Sequence, residues 1–496
     1  MPYFRPTPLR AALLAAFVCA PAHLLAADEI MIEDADTGGE IMIDGGDAPG
    51  LGGDISIDGG DSAAPGDGFG IDSGGDVMIG DDASGGDAMA ADSDDRGDFT
   101  IGLDEARLEY GHFPDSASAS DSAAYGHVAA SANWQPEPRW ELQLAGRLDG
   151  YTEDSTDSFK DVRGDYGDSY VRYRGDTTTL TLGTQTVIWG RIDELPLSDR
   201  VSTADLTRLV LDDLEDRRRS NPMLRAETFV AGGKLDLVWL IDFRAAELPE
   251  RDSVWYPINR RDGRLVGIDP DDVNPALVRN ARIIDDEPDG DGGFGARYTR
   301  THSFADIGLT VARTRQSIPY FRAAGPGVFE AEYPRSWAVG GDAAINAAGA
   351  TWRVEMLYSS DNPVTRNDAT FSYTTVPALQ WGAGVEMHPG DGDTRVNLQV
   401  VGMNLIDAPR ILDRKQVYSF NGEIEMPFDR ERWRAKLDFY AGLDEKDIYL
   451  NPEIAFLGWE PHELYLAGHY FDGSDQTLGG FYEDQSMVSV GWRAKF

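Results

Sequence analysis

The sequence predicts an all-β fold: a transmembrane antiparallel β-barrel of about 18 strands, with 16 as the alternative count. Three observations support this prediction. The N-terminus has the features of a secretory signal. From Phe99 onward, apolar and polar residues alternate with a period of two, as in strands that separate lipid from water. The chain ends on an aromatic residue, Phe496, in phase with the apolar face of its last segment.

Residues 1–27 are the predicted signal peptide. Arg5 and Arg10 supply its positive end, and the apolar core that follows is too short to span a membrane. We expect cleavage near Ala27. Cys19 suggests a lipoprotein as an alternative, although Val18 is a poor match to the small residue required before such a cysteine. Cleavage would leave a mature chain without cysteine, so neither disulfides nor a thiolate metal site is expected.

Residues 28–98 form a tract of a different composition. The tract holds 21 acidic residues and one base, Arg96, within a chain whose net charge is −42. This charge argues against nucleic-acid binding. The tract is rich in Asp, Gly, Ala and Ser, a composition that cannot bury enough apolar surface to offset chain entropy, so we expect it to be mostly disordered.

A short phrase recurs within this tract: an apolar triplet that follows an acidic residue, as in Glu29–Glu33 and Glu40–Asp44. Three interpretations are open: a flexible acidic linker, a multivalent tail whose triplets add as strands to a partner's sheet edge, or a segment that calcium orders. The candidate partner-docking residues are Ile30, Ile32, Ile41, Ile43, Ile55, Ile57, Val77 and Ile79.

Residues 99–496 are the predicted barrel. In the clearest segment Trp433, Leu437 and Phe439 alternate with Arg434 and Lys436. A soluble sandwich with one wet face is the alternative. Segments of about 10–13 residues, the length that a tilted membrane strand needs, favour the barrel. Aromatic residues at the segment ends also favour it, because they suit membrane interfaces.

The lengths of the connections alternate, which supports the barrel independently. Tight links follow the even-numbered segments, and mostly long links follow the odd-numbered ones. The long links are 112–123, 151–164, 191–224, 246–292, 317–334 and 360–377. Short periplasmic turns that alternate with long outer loops are typical of barrels with both termini in the periplasm. We therefore expect the chain in the outer membrane of a bacterium, in contact with lipid and lipopolysaccharide.

The last segment places Val488, Val490, Trp492, Ala494 and Phe496 on one face. A terminal aromatic residue on such a strand resembles the signal that the barrel-assembly machinery reads. We therefore assign Trp492 and Phe496 to assembly and expect that machinery as a partner.

Inward positions of the predicted strands carry charges of both signs. The expected lumen-lining residues are Arg147, Arg172, Arg174, Asp236, Asp242, Arg353, Arg395, Glu423, Glu425, Arg432, Arg434 and Lys436. So many charges would be costly to bury without water or partners. The interior is therefore expected to be hydrated, and a barrel of 16–18 strands is wide enough for an aqueous channel.

The most distinctive local sequence follows the fifth segment. Ser202 is a reasonable N-cap, Leu206, Leu209 and Leu214 share one helical face, and three arginines close the stretch. The pattern predicts one short helix in this inserted loop, which either narrows the lumen or caps the barrel mouth. The candidate constriction residues are Asp193, Glu194, Asp199, Arg200, Asp205, Arg208, Asp212 and Asp213.

The stretch from Gly183 through Trp189-Gly190, an acidic turn and the predicted helix also resembles a porin-like outer-membrane family of unassigned function. That resemblance implies an association with exporters of the resistance–nodulation–division type and with hydrophobic substrates. A periplasmic or inner-membrane exporter component is therefore a possible partner.

Three functions are considered for a chain with these features. The first is a channel that passes solutes through a hydrated lumen narrowed by the 191–222 loop. The alternative is an outer-membrane component of an export or lipid-trafficking system that docks a periplasmic partner through the acidic tract. A barrel enzyme is the third; His127 lies near Ser131, but no supporting motif surrounds them. Because no nucleotide, zinc or dinucleotide motif occurs either, we expect no enzyme activity, cofactor or metal.

Overall fold

The computed structural model describes residues 97–496, except 156–157, 194–196, 326–327, 369–371 and 391. Eighteen strands of the described chain form one antiparallel sheet. In chain order, these strands are β1 Asp98–His112, β2 Ser120–Glu137, β3 Trp140–Ser155, β4 Phe159–Tyr166 with Ser169–Arg174, β5 Thr178–Gln185, β6 Asn221–Val230, β7 Gly233–Leu240, β8 Gly293–Thr301, β9 Asp306–Arg315, β10 Arg335–Ala347, β11 Ala350–Thr365, β12 Tyr373–Met387, β13 Arg395–Leu405, β14 Gln416–Phe428, β15 Trp433–Gly442, β16 Asp447–Trp459, β17 His462–Gly473 and β18 Met487–Lys495.

The sheet closes on itself, because β1 pairs with β2 on one side and with β18 on the other. The expected all-β barrel of 18 strands is therefore confirmed. Since the strand count is even, the first residue of β1 and the last of β18 lie at the same end. We call this end, which carries the short links, the turn end, and the opposite end, which carries the long connections, the loop end.

Alternation along the strands separates two environments. Outward side chains such as Leu144, Leu309 and Val490 are 69%, 59% and 56% exposed, whereas inward Asp149 and Glu355 are each 3% exposed. Burial of many inward charges requires that they be paired, and ion pairs do cover the inner wall. The barrel thus presents an apolar belt outside and a charged, largely filled lumen inside.

The links at the turn end follow from local sequence. Ala231-Gly232 and Ala348-Gly349 both have positive φ, at 50° and 76° and at 55° and 74°. Two consecutive left-handed residues make the two-residue turn whose twist matches that of a β-hairpin. The tight links predicted after the even-numbered segments are therefore confirmed at these two places, after β6 and β10.

Several boundaries differ from those predicted. β3 reaches Ser155 and β4 begins at Phe159, so most of the expected long link 151–164 is paired strand. β4 is also interrupted at 167–168, and its two segments pair with successive parts of β3. The connection after β5 begins at residue 186 rather than 191, because β5 ends at Gln185.

The loop end carries small elements of its own. The connection between β7 and β8 contains helix α1, Pro275–Arg279, and the one between β17 and β18 contains helix α2, Leu478–Phe481. Short strands form further pairs: Ile258–Asn259 with Arg264–Leu265, and Val328–Glu332 with both Tyr320–Gly325 and Arg282–Ile284. Short 3-10 turns lie at Pro270–Asp272 and Glu483–Gln485.

Candidate pore and its inserted loop

The connection 186–220, which we call the insert loop, lies inside the barrel. Its described residues contact inward side chains on opposite parts of the wall, among them Arg107 of β1 and Arg353 of β11. Of the two placements that the sequence left open, the structure therefore has the loop in the lumen.

The helix expected from Ser202 onward is absent, and this prediction was wrong. Residues Thr203–Ala204 pair instead with Arg218–Arg219 as two short strands, with turns between them. Leu209 has φ 57°, a left-handed conformation that no α-helix contains. The Asp205 side chain accepts a hydrogen bond from the Thr207 N–H, a local bond that competes with helix formation. Contacts with the wall thus override the apolar periodicity.

One carboxylate on the wall holds the beginning of the insert loop. Glu355 of β11 accepts hydrogen bonds from the backbone N–H groups of Arg191 and Ile192, at 2.9 and 3.2 Å, and also from that of Ser198. Gly190 has φ 119°, and a Cβ built there would lie 3.0 Å from both Glu355 carboxylate oxygens. Glycine is therefore required where the loop turns over this carboxylate.

Two further contacts fix the same side of the loop. The Arg191 guanidinium donates to Asp342 of β10 at 2.5 Å, and Asp342 also pairs with Arg297 of β8 at 2.7 Å. Asp193 accepts from Arg353 at 2.5 Å and from Asn397 of β13 at 2.7 Å. The loop is therefore tied to strands β8 to β13 by charge-assisted hydrogen bonds, which are the stronger class.

The opposite side of the loop is tied directly to β1 and β3. Arg208 pairs with Glu109, which also accepts from the Tyr465 hydroxyl at 2.6 Å. Asp212 pairs with Arg107 at 3.0 Å. Asp205 and Arg147 form a further pair.

The remaining candidate constriction residues that the structure describes also lie in the loop, and they pair either within the loop or with the wall. Asp199 pairs with Arg218 at 2.8 Å within the loop, and Arg200 donates to Gln380 on the wall. Asp213 pairs with Lys436 of β15 at 3.0 Å. Glu194 lies outside the described residues.

Ten of the twelve predicted lumen residues occupy strand positions with an inward side chain. Arg172 and Arg174 share Glu141, Asp236 pairs with Arg225, and Arg434 pairs with Glu463. The others are Arg147, Arg353, Arg395, Glu423, Glu425 and Lys436.

Asp242 and Arg432 were predicted wrongly as lumen residues. β7 ends at Leu240, and Asp242 is an exposed residue of the following connection. β15 begins at Trp433, and Arg432 lies in the preceding turn, where it pairs with Asp429 and its side chain is 59% exposed. In both cases the sequence prediction extended the alternation of inward and outward residues beyond the limits of the strand.

A cavity of about 480 Å³ remains between the insert loop and the wall formed by β13 to β16. Loop residues Asp193, Asp212 and Arg217 border one side, and wall residues Arg395 and Lys436 border the other. Seven acidic and five basic side chains border it, together with three asparagines of the wall and apolar side chains such as Leu211 and Phe439. The open space therefore lies against one part of the wall rather than on the barrel axis.

Burial and nearby acids change the protonation of the loop. The pKa of Asp216 is raised to about 6 by burial and by the carboxylates of Asp212, Glu105 and Asp213. Because Asp216 and Glu105 of β1 line the same small cavity, we expect the attachment of the loop to depend on pH.

The residues that hold the loop were missed by sequence reasoning. The alternation places Glu355, Glu109 and Asp342 on inward faces, but their spacing carries no sign of what faces them across the lumen. Only the fold brings Glu355 to the loop, which is more than 150 residues away along the chain.

Other predictions are partly outside the described residues. The signal peptide and the eight docking residues of the acidic tract fall there. Phe496 follows β18, is 60% exposed, and donates its N–H to the Asp104 carbonyl at 3.0 Å. Trp492 lies on the outward face of β18, opposite Leu108 and Leu464.

Within the described ranges, no helix is long and apolar enough to cross a membrane. The same part of the chain has no group of three or more His, Cys, Asp or Glu side chains that could hold a metal ion.

Comparison with solved structures found similarity to bacterial outer-membrane proteins. OccAB2 of Acinetobacter baumannii has a TM-score of 0.46 and 8% identity, over 80% of this chain and 98% of that one. OccK8 (OprE) of Pseudomonas aeruginosa gives 0.45 and 7%, over 80% and 98%. OmpF of Salmonella typhi, solved in complex with daunomycin, gives 0.41 and 9%, over 81% and 98%.

No curated protein matches the chain in sequence. A family described as protein of unknown function DUF1302 matches residues 97–439. This match covers β1 to most of β15, including the insert loop and the strands that hold it. The chain therefore belongs to the DUF1302 family.

Proposed function

We propose that this protein is an outer-membrane channel for small polar solutes. The observation that carries the proposal is the cavity between the insert loop and the β13 to β16 wall. Its lining combines acids, bases and asparagines with apolar side chains such as Leu211, Leu214 and Phe439, and the charged and amide groups suit hydrated solutes. The mixed signs favour neutral or zwitterionic solutes over strongly charged ones.

The proposed membrane location rests on the outward surface. A belt of exposed Leu, Val, Ile and aromatic side chains surrounds the barrel, and closure leaves no sheet edge at the β1–β18 seam. The signal-like N-terminus supports export. We propose that the turn end, where both β1 and β18 have their terminal residues, faces the periplasm and that the insert loop enters from the outer side.

Conductance in planar lipid bilayers tests the channel directly. Protein purified in a neutral detergent and reconstituted without partners should give discrete ohmic steps at moderate voltage. Its permeability should favour small polar solutes over large ones in a liposome-swelling assay. Absence of current at any voltage, with correctly folded protein in the bilayer, would rule out an open passage.

The acidic repeats support a second proposal, a role in an export or lipid-trafficking system. Residue Asp98 opens β1 at the turn end, so the acidic tract is joined to the barrel on the side proposed to face the periplasm. Several apolar triplets on one chain raise the effective concentration for a partner. Deletion of residues 28–98 should abolish capture of an exporter component while the barrel stays heat-modifiable on gels; unchanged capture would refute this role.

A further inference from the structure

The loop-end segment of β4, Phe159–Tyr166, has a strand on one side only. It pairs with β3 from Gly146 to Glu153. β5 pairs with the turn-end segment of β4, Ser169–Arg174. It ends at Gln185, where the chain turns into the lumen. Among the described residues, no strand pairs with the other edge of Phe159–Tyr166. The wall of the barrel is therefore incomplete at this place.

This open edge lies within the apolar belt. Val162 and Tyr166 are 70% and 41% exposed, and neighbouring Leu148 of β3 is 55% exposed; Lys160 and Gly164 lie on the same outward face of the segment. An unpaired strand edge is not tolerated against hydrocarbon, because its N–H and C=O groups find no partner there. Such an edge needs a polar cavity or a polar ligand beside it.

Two arginines occupy the space beside the edge. Arg219 and Arg244 both pair with the Asp165 carboxylate, and Arg219 also pairs with Glu247 at 2.9 Å. The Arg244 guanidinium lies 4.2 Å from the ring centroid of outward-facing Tyr166. A guanidinium has thus passed from the lumen side to the lipid-facing side of the wall. Burial and the nearby Arg219 lower the pKa of Arg244, and its guanidinium also donates to the Ser220 carbonyl at 2.6 Å.

A groove of about 890 Å³ lies at this edge, and its lining includes outward residues of β2 to β4 together with the inward Asp165. Its apolar part is lined by outward residues Val128, Leu148 and Tyr166, and its polar part by Arg219 and Arg244. The lining also includes Arg147 and three acids, Asp165, Glu247 and Glu287. A site with an apolar groove at one end and two guanidinium groups at the other fits one kind of molecule, an amphiphile with an acidic head group.

We propose that the open edge of β4 is a lateral site in the barrel wall that binds a single-chain amphiphile with a carboxylate or phosphate head. The head group pairs with Arg244 and Arg219, and the alkyl chain lies along Val128, Leu148 and Tyr166. This site is separate from the cavity at the β13 to β16 wall, and a molecule held here has contact with both the membrane and the lumen. The inference does not depend on conduction through that cavity.

Native mass spectrometry of the whole protein in a neutral maltoside detergent tests the site. Dodecyl phosphate and dodecanoate should each give an adduct of one molecule per chain. Dodecanol, which lacks the acid, and inorganic phosphate, which lacks the chain, should give none at the same concentration. The double variant Arg219→Gln/Arg244→Gln should weaken adduct formation by about tenfold or more, since charge-assisted hydrogen bonds are lost.

Matched controls keep the outcome unambiguous. Arg313→Gln removes another arginine that stacks on an outward aromatic ring, that of Trp337, and should leave binding unchanged, whereas Arg244→Lys should retain part of it. Leu148→Ser should weaken binding, but Leu144→Ser, four residues away on the same face, should not. Equal binding of dodecanol, equal loss in Arg313→Gln, or full binding in the double variant with heat-modifiable folding intact would overturn the proposal.

Discussion

Removal of the Glu355 carboxylate should weaken the attachment of the insert loop to the barrel wall. Glu355 is 3% exposed and accepts three backbone N–H groups of the loop, those of Arg191, Ile192 and Ser198. A hydrogen bond to a charged group contributes about 1.5–3 kcal/mol, so Glu355→Ala removes roughly 4–9 kcal/mol of attachment between loop and wall. The barrel itself keeps its ladder of backbone hydrogen bonds and should remain folded.

The assay is single-channel conductance in planar bilayers. In the variant, release of residues 190–198 opens space on the β11 side, so the conductance should rise severalfold and the open-channel noise should increase. Glu453→Ala is the matched control. Glu453 is also an inward carboxylate, but it pairs with Arg434 and Arg493 on the wall, so its loss should leave the loop in place. Unchanged conductance and noise in Glu355→Ala, with folded protein, would refute the reasoning.

Changes at Gly190, Asp216 and Phe496 give three further predictions. Gly190→Ala should speed tryptic cleavage after Arg191 in the folded protein, because its Cβ would press on the Glu355 carboxylate at a positive φ; cleavage at the wild-type rate would contradict this. Asp216 has a raised pKa of about 6, so the folded loop binds a proton more tightly than the free one, and attachment should weaken as pH rises from about 4 to 6. Conductance should therefore be lower at pH 5 than at pH 7.5, and Asp216→Asn should reduce this difference; an identical pH response in that variant would exclude Asp216. Deletion of Phe496 should lower the membrane-assembled fraction in cells, measured by heat-modifiability, while refolding in detergent proceeds; normal assembly in cells would exclude the assembly role.

The strands could be predicted because their signals are local. Alternation with a period of two indicates, for each residue, which face of the wall it occupies. Pairs such as Ala231-Gly232 indicate the tight turns. The interruption of β4 at residues 167–168 and the end of β5 at Gln185 carry no comparable signal. These features depend on where the insert loop enters the lumen, which is a property of the assembled barrel.

The insert loop shows where local reasoning fails. Leu206, Leu209 and Leu214 have helical spacing, yet Asp205 and Arg208 form ion pairs with Arg147 and Glu109. Those pairs are with strands β3 and β1, which are distant in sequence, and they outweigh the intrinsic preference for a helix. The sequence therefore indicates a charged loop in a charged lumen but not its conformation or its holding residues.

The proposed function requires that solutes pass between the insert loop and the β13 to β16 wall. Single cysteines at Glu215, on the loop, and Arg395, on the wall, test it most directly, because both residues line the cavity. In a Cys19→Ala background, a charged thiosulfonate reagent should reduce the conductance of both variants, whereas Leu237→Cys, on the outward face, should be unaffected. Modification of Glu215→Cys and Arg395→Cys without any change in conductance would contradict the claim.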